Sequence, residues 1–259
     1  MTPEPSATAA GTRHVAHETL GSTNAEALRL ARQGERGPLW VSAARQTAGH
    51  GRRGRPWISQ PGNLFASLLL TDPAPAEHWP QLAFVAALAT HDAIAEVAAP
   101  LAPLLAIKWP NDLMLARAKV AGILIEGDSG GRSALAIGIG VNCASHPGQL
   151  EQPATDLATA GAPVSPATLF GVLTDRMRAR IAQWNAGAGF PAIRLDWLAR
   201  AVGVGESVCA RLGDREIVGR FEALDATGGL VLRLPDGTAS IVSTGDVFVL
   251  AAPASRRAG

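Results

Sequence analysis

A chain of 259 residues, 47% hydrophobic and 17% charged, carries enough apolar mass for a real core and predicts one large domain with room for a small second one. Its 23 basic and 22 acidic residues leave a net charge of +1, which excludes a global field for drawing in DNA or an anionic membrane, so any cationic site must be local. No stretch is long enough to span a membrane, the first residues lack the basic-then-apolar run of a signal peptide, and Cys143 and Cys209 lie too far apart for a metal-ligand spacing. Buried free thiols in a reducing cytoplasm are therefore expected.

Residues 1–12 read as a loose tail. Ser22-Thr23-Asn24 precedes Ala27, Leu28, Leu30 and Ala31, with Glu26 three residues after Thr23 and Gly34 closing the run, which predicts a capped helix. The same side chains and free first-turn N–H groups also suit a polar ligand, although capping alone accounts for them. Residues 39–44 predict a short buried strand feeding Gln46 and a glycine-arginine loop. Residues 63–70 predict an apolar strand, and 77–99 a long helix with Pro80 near its start. Strands follow at 104–108, 113–115, 120–126 and 133–141, the last two joined by the turn Asp128-Ser129-Gly130-Gly131. The fold class expected is α+β, a mixed and largely antiparallel central sheet flanked by helices.

Residues 146–164 read as loop. Ser165-Pro166 then predicts a helix start, with apolar positions running to Trp184, and a further helix is expected over 193–201. Beyond Gly203, short β runs at 207–212, 216–224, 230–234, 239–243 and 247–250 alternate with glycine turns, as in a small barrel. The domain boundary is placed near Gly203, and 253–259 form a second tail.

Chemistry concentrates in four places. Gly49-His50-Gly51-Arg52-Arg53-Gly54-Arg55-Pro56-Trp57 combines glycines that let backbone N–H groups face a ligand, forked guanidinium donors and an indole that can cover a nucleobase, so it reads as an anion site or as an exposed basic loop. Lys108-Trp109-Pro110-Asn111-Asp112 lies at a strand end, where proline stops the ladder and a turn presents Asn and Asp. Lys119-Val120-Ala121-Gly122-Ile123-Leu124-Ile125-Glu126 puts an ammonium at the start of a buried strand. Gly138-Ile139-Gly140-Val141-Asn142 sets two glycines in an apolar strand, either as a bulge or because something approaches closely. Lys108 and Lys119 are the only lysines among 23 basic residues, which points to sites needing a compact ammonium or to chance in an arginine-biased chain.

Each pattern alone is weak, but with Ser22-Thr23-Asn24 and Gln46 their order closely resembles the biotin protein ligase family, from about His17 to the later helices, and residues 205–250 resemble that family's small SH3-like C-terminal barrel. The resemblance implies a class II synthetase-like biotin/lipoate ligase fold, with a catalytic domain over 13–203 and the barrel over 204–252. It implies a two-step reaction in which biotin and ATP with Mg²⁺ give biotinyl-5′-adenylate, and a lysine of the biotin carboxyl carrier domain of acetyl-CoA carboxylase or a related carboxylase then takes the biotinyl group. By motif position, Ser22, Thr23, Asn24 and Gln46 would face the ureido and ring end of biotin. His50, Gly51, Gly122, Gly138 and Gly140 would complete its pocket. Arg52 and Lys119, the expected catalytic pair, would meet the carboxylate and α-phosphate together with Gly51. Arg55 would serve the ATP phosphates, Trp57, Asn111 and Asn142 the adenylate, and Asp112 the phosphates through Mg²⁺.

Two departures qualify the likeness. The family commonly carries Arg where this chain has His50, which makes a positive charge there pH-dependent. The residues before Ser22 are too few for the winged helix module of the repressor members, so no specific DNA partner is expected, and no membrane partner; homodimerisation stays open. A lipoate ligase of the same fold is the nearest alternative, and an RNA-binding module using the arginine loop a distant one.

Overall fold

The run Leu64–Thr71 is apolar on both sides of its pleat, and it lies inside an eight-stranded sheet in the structure, a computed structural model that describes residues 6–8, 11–128, 133–148 and 152–250. The strands are Ser6–Ala7 (β1), Arg13–Leu20 (β2), Leu39–Gln46 (β3), Leu64–Thr71 (β4), Leu105–Lys108 (β5), Asp112–Leu115 (β6), Ala118–Asp128 (β7) and Ala134–Val141 (β8). They stand in the order β1-β2-β3-β4-β8-β7-β6-β5, antiparallel at every pairing except β2 with β3. The helices are Thr23–Arg32 (α1), Gln81–Val97 (α2), Pro166–Trp184 (α3) and Phe190–Leu198 (α4).

Successive side chains alternate across a strand, so each strand of the sheet addresses two layers. Leu64, Ala66, Leu68 and Leu70 of β4, with Leu135, Ile137, Ile139 and Val141 of β8, join the main core under α2 and α3. Leu69, Ala134 and Ala136 point the other way, into a smaller cluster with Ala27 and Leu30 of α1. Gly138 and Gly140 continue that second face beyond the end of the α1 cluster, and the space they leave becomes the site described below.

Local signals explain the helix ends. In α3 the Ser165 hydroxyl accepts from the Thr168 N–H at 3.0 Å, Pro166 stands at the first position, and Asn185 ends the helix in the left-handed region. Removing such a cap costs about 1 kcal/mol. In α1 the cap is Ser22, so Glu26 does not complete a capping box as the spacing from Thr23 suggested; it pairs instead with Arg29 at 2.6 Å. α2 begins at Gln81, later than expected, because Ala76–His78 forms a separate 3-10 turn ahead of Pro80. α4 begins three residues earlier than expected, with Pro191 in its first turn.

The N-terminal reading needs correction. Ser6–Ala7 pairs with Arg13 and His14, and β2, absent from the sequence reading, runs beside β3. β2 carries Arg13, His14, His17 and Glu18 and buries only Val15 fully, so it lacks the apolar alternation by which strands are recognised. Asp112 opens β6 rather than sitting in the preceding turn, and residues 129–131 of the expected β7–β8 turn fall outside the described residues.

After Gly203 comes a five-stranded antiparallel sheet of Ser207–Leu212 (β9), Arg215–Leu224 (β10), Leu230–Arg233 (β11), Ala239–Val242 (β12) and Asp246–Val249 (β13), ordered β12-β11-β10-β9-β13. Its end strands β12 and β13 do not pair, so the sheet is open among the described residues rather than the closed barrel expected. Val208, Ala210, Phe221 and Leu230 belong to the main core, and the Trp109 indole N–H donates to the Gly228 carbonyl at 3.0 Å, so the second unit is packed onto the first. Cys143 and Cys209 are buried and free. No described helix is long and apolar enough to cross a membrane.

Candidate active site

A cavity of about 580 Å³ opens on the glycine-bearing face of β7 and β8. Every residue given a role by the resemblance lines it: Ser22, Thr23 and Asn24 from the start of α1, Gln46 from β3, His50, Gly51, Arg52, Arg55 and Trp57 from the arginine loop, Asn111 and Asp112 before and in β6, and Lys119, Gly122, Gly138, Gly140 and Asn142 from β7, β8 and the residue after β8. Residues far apart in sequence meet there because the order β4-β8-β7-β6 sets the two glycine strands side by side between α1 and the Trp-Pro-Asn turn.

One end of the cavity is neutral and rich in hydrogen bonds. Gln46 Oε1 accepts from the Thr23 N–H at 2.8 Å and from its hydroxyl at 3.1 Å, while Gln46 Nε2 donates to Ser59 Oγ at 3.0 Å. Ser67 Oγ lies 2.6 Å from Asn24 Oδ1 and 2.7 Å from Thr23 Oγ1, and Asn24 Nδ2 donates to Glu126 Oε2 at 2.8 Å. Asn24 fits only because Gly138 lacks a side chain: a Cβ there would stand 2.5 Å from Asn24 Oδ1. β8 pairs with both neighbours without a register shift, so the glycines are not at a bulge. They make room.

The other end is charged. Lys119 Nζ lies 2.6 Å from Asp112 Oδ1 and 5.3 Å from the centre of the Trp57 ring. The indole rests over the register pair Gly122 and Gly140, where added Cβ atoms would stand 3.2 Å and 2.7 Å from it. Its Nε1 is buried and has no hydrogen-bond partner among the described residues. Asn111 donates to the Ile123 carbonyl and Asn142 to that of Thr155, which fixes both amides at the cavity wall. Lys108 stands with its ammonium 4.9 Å from the Phe248 ring, and burial lowers its pKa, opposed by the carboxylates of Asp112 and Asp246.

The sequence reading left the arginine loop with no partner for its charges, and the structure supplies one. Asp246, at the start of β13, lies 2.6 Å from Arg55 Nη2, 3.5 Å from Arg53 Nη1 and 4.0 Å from Arg52 Nη1. Arg52 also donates to the Gly245 carbonyl at 3.1 Å and to Thr244 Oγ1 at 3.3 Å. Burial alone would raise the Asp246 carboxyl, but the Arg55 hydrogen bond and the three guanidinium charges hold it below its ordinary value. Burial pushes Arg52 below its own ordinary value. Within the loop, Gly51 N–H donates to the Arg55 carbonyl at 2.7 Å and Trp57 N–H to that of Gly49 at 2.9 Å.

Asp246 is a site residue that no motif marked, because it sits in an ordinary β run and meets the loop only in three dimensions. Asp246→Asn is expected to leave melting nearly unchanged and to speed tryptic cleavage after Arg52 and Arg53, up to roughly fivefold, since its nearest partner Arg55 is 65% exposed and a pair screened on that side contributes about 1 kcal/mol. Cleavage at the wild-type rate would show that the loop is held by its own backbone bonds.

The profile of the biotin/lipoate A/B protein ligase family matches residues 18–143, and that of the biotin protein ligase C-terminal domain matches residues 203–250. The chain is 44% identical over 234 residues to a biotin–[acetyl-CoA-carboxylase] ligase of Paracoccus denitrificans, covering 88% of this chain and 96% of that one. It is 32% identical to the protein of the same name in Mycobacterium tuberculosis, over 89% and 86% of the two chains. Among solved structures, the biotin protein ligase of Aquifex aeolicus in complex with biotin and ATP superimposes with a TM-score of 0.78 at 25% identity, over 92% of this chain and 99% of that one. The Leishmania major enzyme in complex with biotinyl-5-AMP gives 0.63 at 25% identity, over 89% and 98%.

Proposed function

The chain belongs to the biotin protein ligase family, and on that premise we infer that this cavity activates biotin with ATP and passes it to a carrier lysine. The observation that carries the reading is the polarity of the cavity: a neutral, amide-rich end at α1 and a cationic end around Lys119 and Arg52. Biotin has the same polarity, a neutral ureido ring at one end and a carboxylate at the other.

In the first step a carboxylate oxygen attacks the α-phosphorus and diphosphate leaves. Two anions must meet, so the rate depends on fixed cations and on orientation. Lys119 and Arg52 offset that charge, Thr23, Asn24 and Gln46 hold the ring, Ser22, His50, Gly51 and Gly138 close around it, and Gly122 and Gly140 leave room for the rest of biotin beside the Trp57 indole. Arg55 meets the outer phosphates, and Trp57, Asn111 and Asn142 hold the nucleoside side. In the second step the neutral amine of the carrier lysine attacks the carbonyl carbon, AMP leaves, and the amine gives up a proton.

Mg²⁺ fits here as an ion carried by the ATP phosphates. The described residues contain no group of three His, Cys, Asp or Glu side chains that could hold a metal, and of the two carboxylates lining the cavity we assign Asp112, beside Lys119, rather than the arginine-bound Asp246 to meet an ion bound to phosphate, where it would offset phosphate charge. The catalytic unit is assigned to residues 13–203 and the second unit, which supplies Asp246, to the family's SH3-like module over 204–252. The carrier is the biotin carboxyl carrier domain of a carboxylase, and the free thiols suit a reducing cytoplasm.

Diphosphate release measured with ATP and either biotin or lipoate in separate reactions tests the reading. Release with biotin, followed by labelling of a carrier domain, is expected. Release with lipoate and none with biotin would replace it with the lipoate ligase alternative.

A further inference from the structure

His50 stands between two acceptors. Its Nδ1 lies 3.2 Å from the Ala48 carbonyl and its Nε2 3.2 Å from Glu126 Oε1. A neutral imidazole has one donor and one acceptor nitrogen, so one of these contacts would set an oxygen against a lone pair. The imidazolium satisfies both. The other Glu126 oxygen accepts from Asn24 Nδ2, so one carboxylate joins the arginine loop to the first turn of α1.

We propose that Glu126 is a positioning residue that fastens the arginine loop, through a protonated His50, to the Asn24 amide at the neutral end of the cavity, so that biotin capture weakens once the imidazolium loses its proton. The ligand in this proposal rests on the ligase reading above. The surroundings of the ring leave few rivals for the effect: β7 presents Glu126, α1 presents the neutral Asn24, and Arg52, Arg53 and Arg55 of the same loop turn toward Asp246 of β13. Among the described residues His50 is the only histidine lining the cavity.

The sign follows from the contacts. The Glu126 hydrogen bond, then the Ala48 carbonyl, raise the His50 pKa above its ordinary value against the opposing effect of burial. The latch is therefore complete below the ordinary histidine range and is lost as pH rises through the raised value. Both side chains are a third exposed, so the effect on affinity is that of a half-screened ion pair, about fivefold.

Calorimetric titration of the full chain with biotin, from about pH 6 to about pH 9, tests it. The wild type should bind about fivefold more weakly at the alkaline end. His50→Arg, which keeps its charge, should bind tightly with a flat profile; Glu126→Gln and His50→Ala should bind weakly with flat profiles. A flat wild-type profile, or an unchanged slope in Glu126→Gln, overturns the latch while leaving the ligase reading intact. No biotin binding by the wild type at any pH overturns that reading and the proposal with it. If Glu126→Gln fails to fold, the wild-type His50 ring titration followed by NMR decides: a midpoint above the ordinary value supports the latch, and one at or below it overturns it.

Discussion

Lys119→Arg is expected to stay folded and to lose biotin-dependent diphosphate release by about tenfold or more, equivalent to roughly 1.4 kcal/mol of barrier, with biotin affinity falling less than turnover. The reason is shape. The Lys119 side chain runs beside Gly122, where a Cβ would stand 3.2 Å from its Cε and 3.3 Å from its Nζ, and its ammonium is fixed between Asp112 Oδ1 and the Trp57 ring. A guanidinium keeps the charge but is broader, donates in a plane, and reaches past the point where a single ammonium sits. It would meet either the indole or the Asp112 carboxylate out of line. Lys108→Arg is the control: that ammonium lies over the Phe248 ring, a contact that guanidinium also makes well, and turnover should fall less. Comparison of diphosphate release in the two variants, after confirming unchanged melting, decides the matter. A wild-type rate in Lys119→Arg would remove the ammonium from its catalytic role.

Local packing was legible in the sequence where a residue type announces its own constraint. Two glycines in the apolar run of β8 left a bulge and a close approach both open, and the structure has Asn24 and Trp57 approaching an unbulged strand. Ser165-Pro166 indicated a helix start, and the hydroxyl caps it. The reading failed where the signal lies in a partner remote in sequence. Asp246 meets arginines 191 and 193 positions away, and nothing in its own β run distinguishes it from a surface aspartate. Glu126 closes a quoted motif, yet its role emerges only when His50 and Asn24 are both in place. β2 was missed because its polar residues take their order from hydrogen bonds to β3, which composition does not encode.

The glycine pair on β8 offers a sharper contrast. In Gly140→Ala the new methyl would stand 2.7 Å from Trp57 Cε2 and Nε1, so the ring must leave its seat over Gly122 and Gly140. Trp57 sits in the loop between β3 and β4, outside both core clusters, so the overpacking cost of about 1–3 kcal/mol is expected to fall on the seating of that loop rather than on the fold. Melting should therefore change little, while adenylate formation falls by about tenfold or more. Gly138→Ala places its methyl 2.5 Å from Asn24 Oδ1, but Asn24 is buried in the first turn of α1 and bonded to Ser67, Glu126 and the Leu124 carbonyl. It cannot swing away, so the same cost falls on folding, and this variant should lose both melting temperature and activity. Thermal melts and biotin-dependent diphosphate release on the two variants separate the cases. If Gly140→Ala turns over at the wild-type rate, the indole is not needed on its glycine seat. If instead Gly140→Ala melts as low as Gly138→Ala, the loop is as firmly part of the fold as α1, and closure over the ligand is not a separate step.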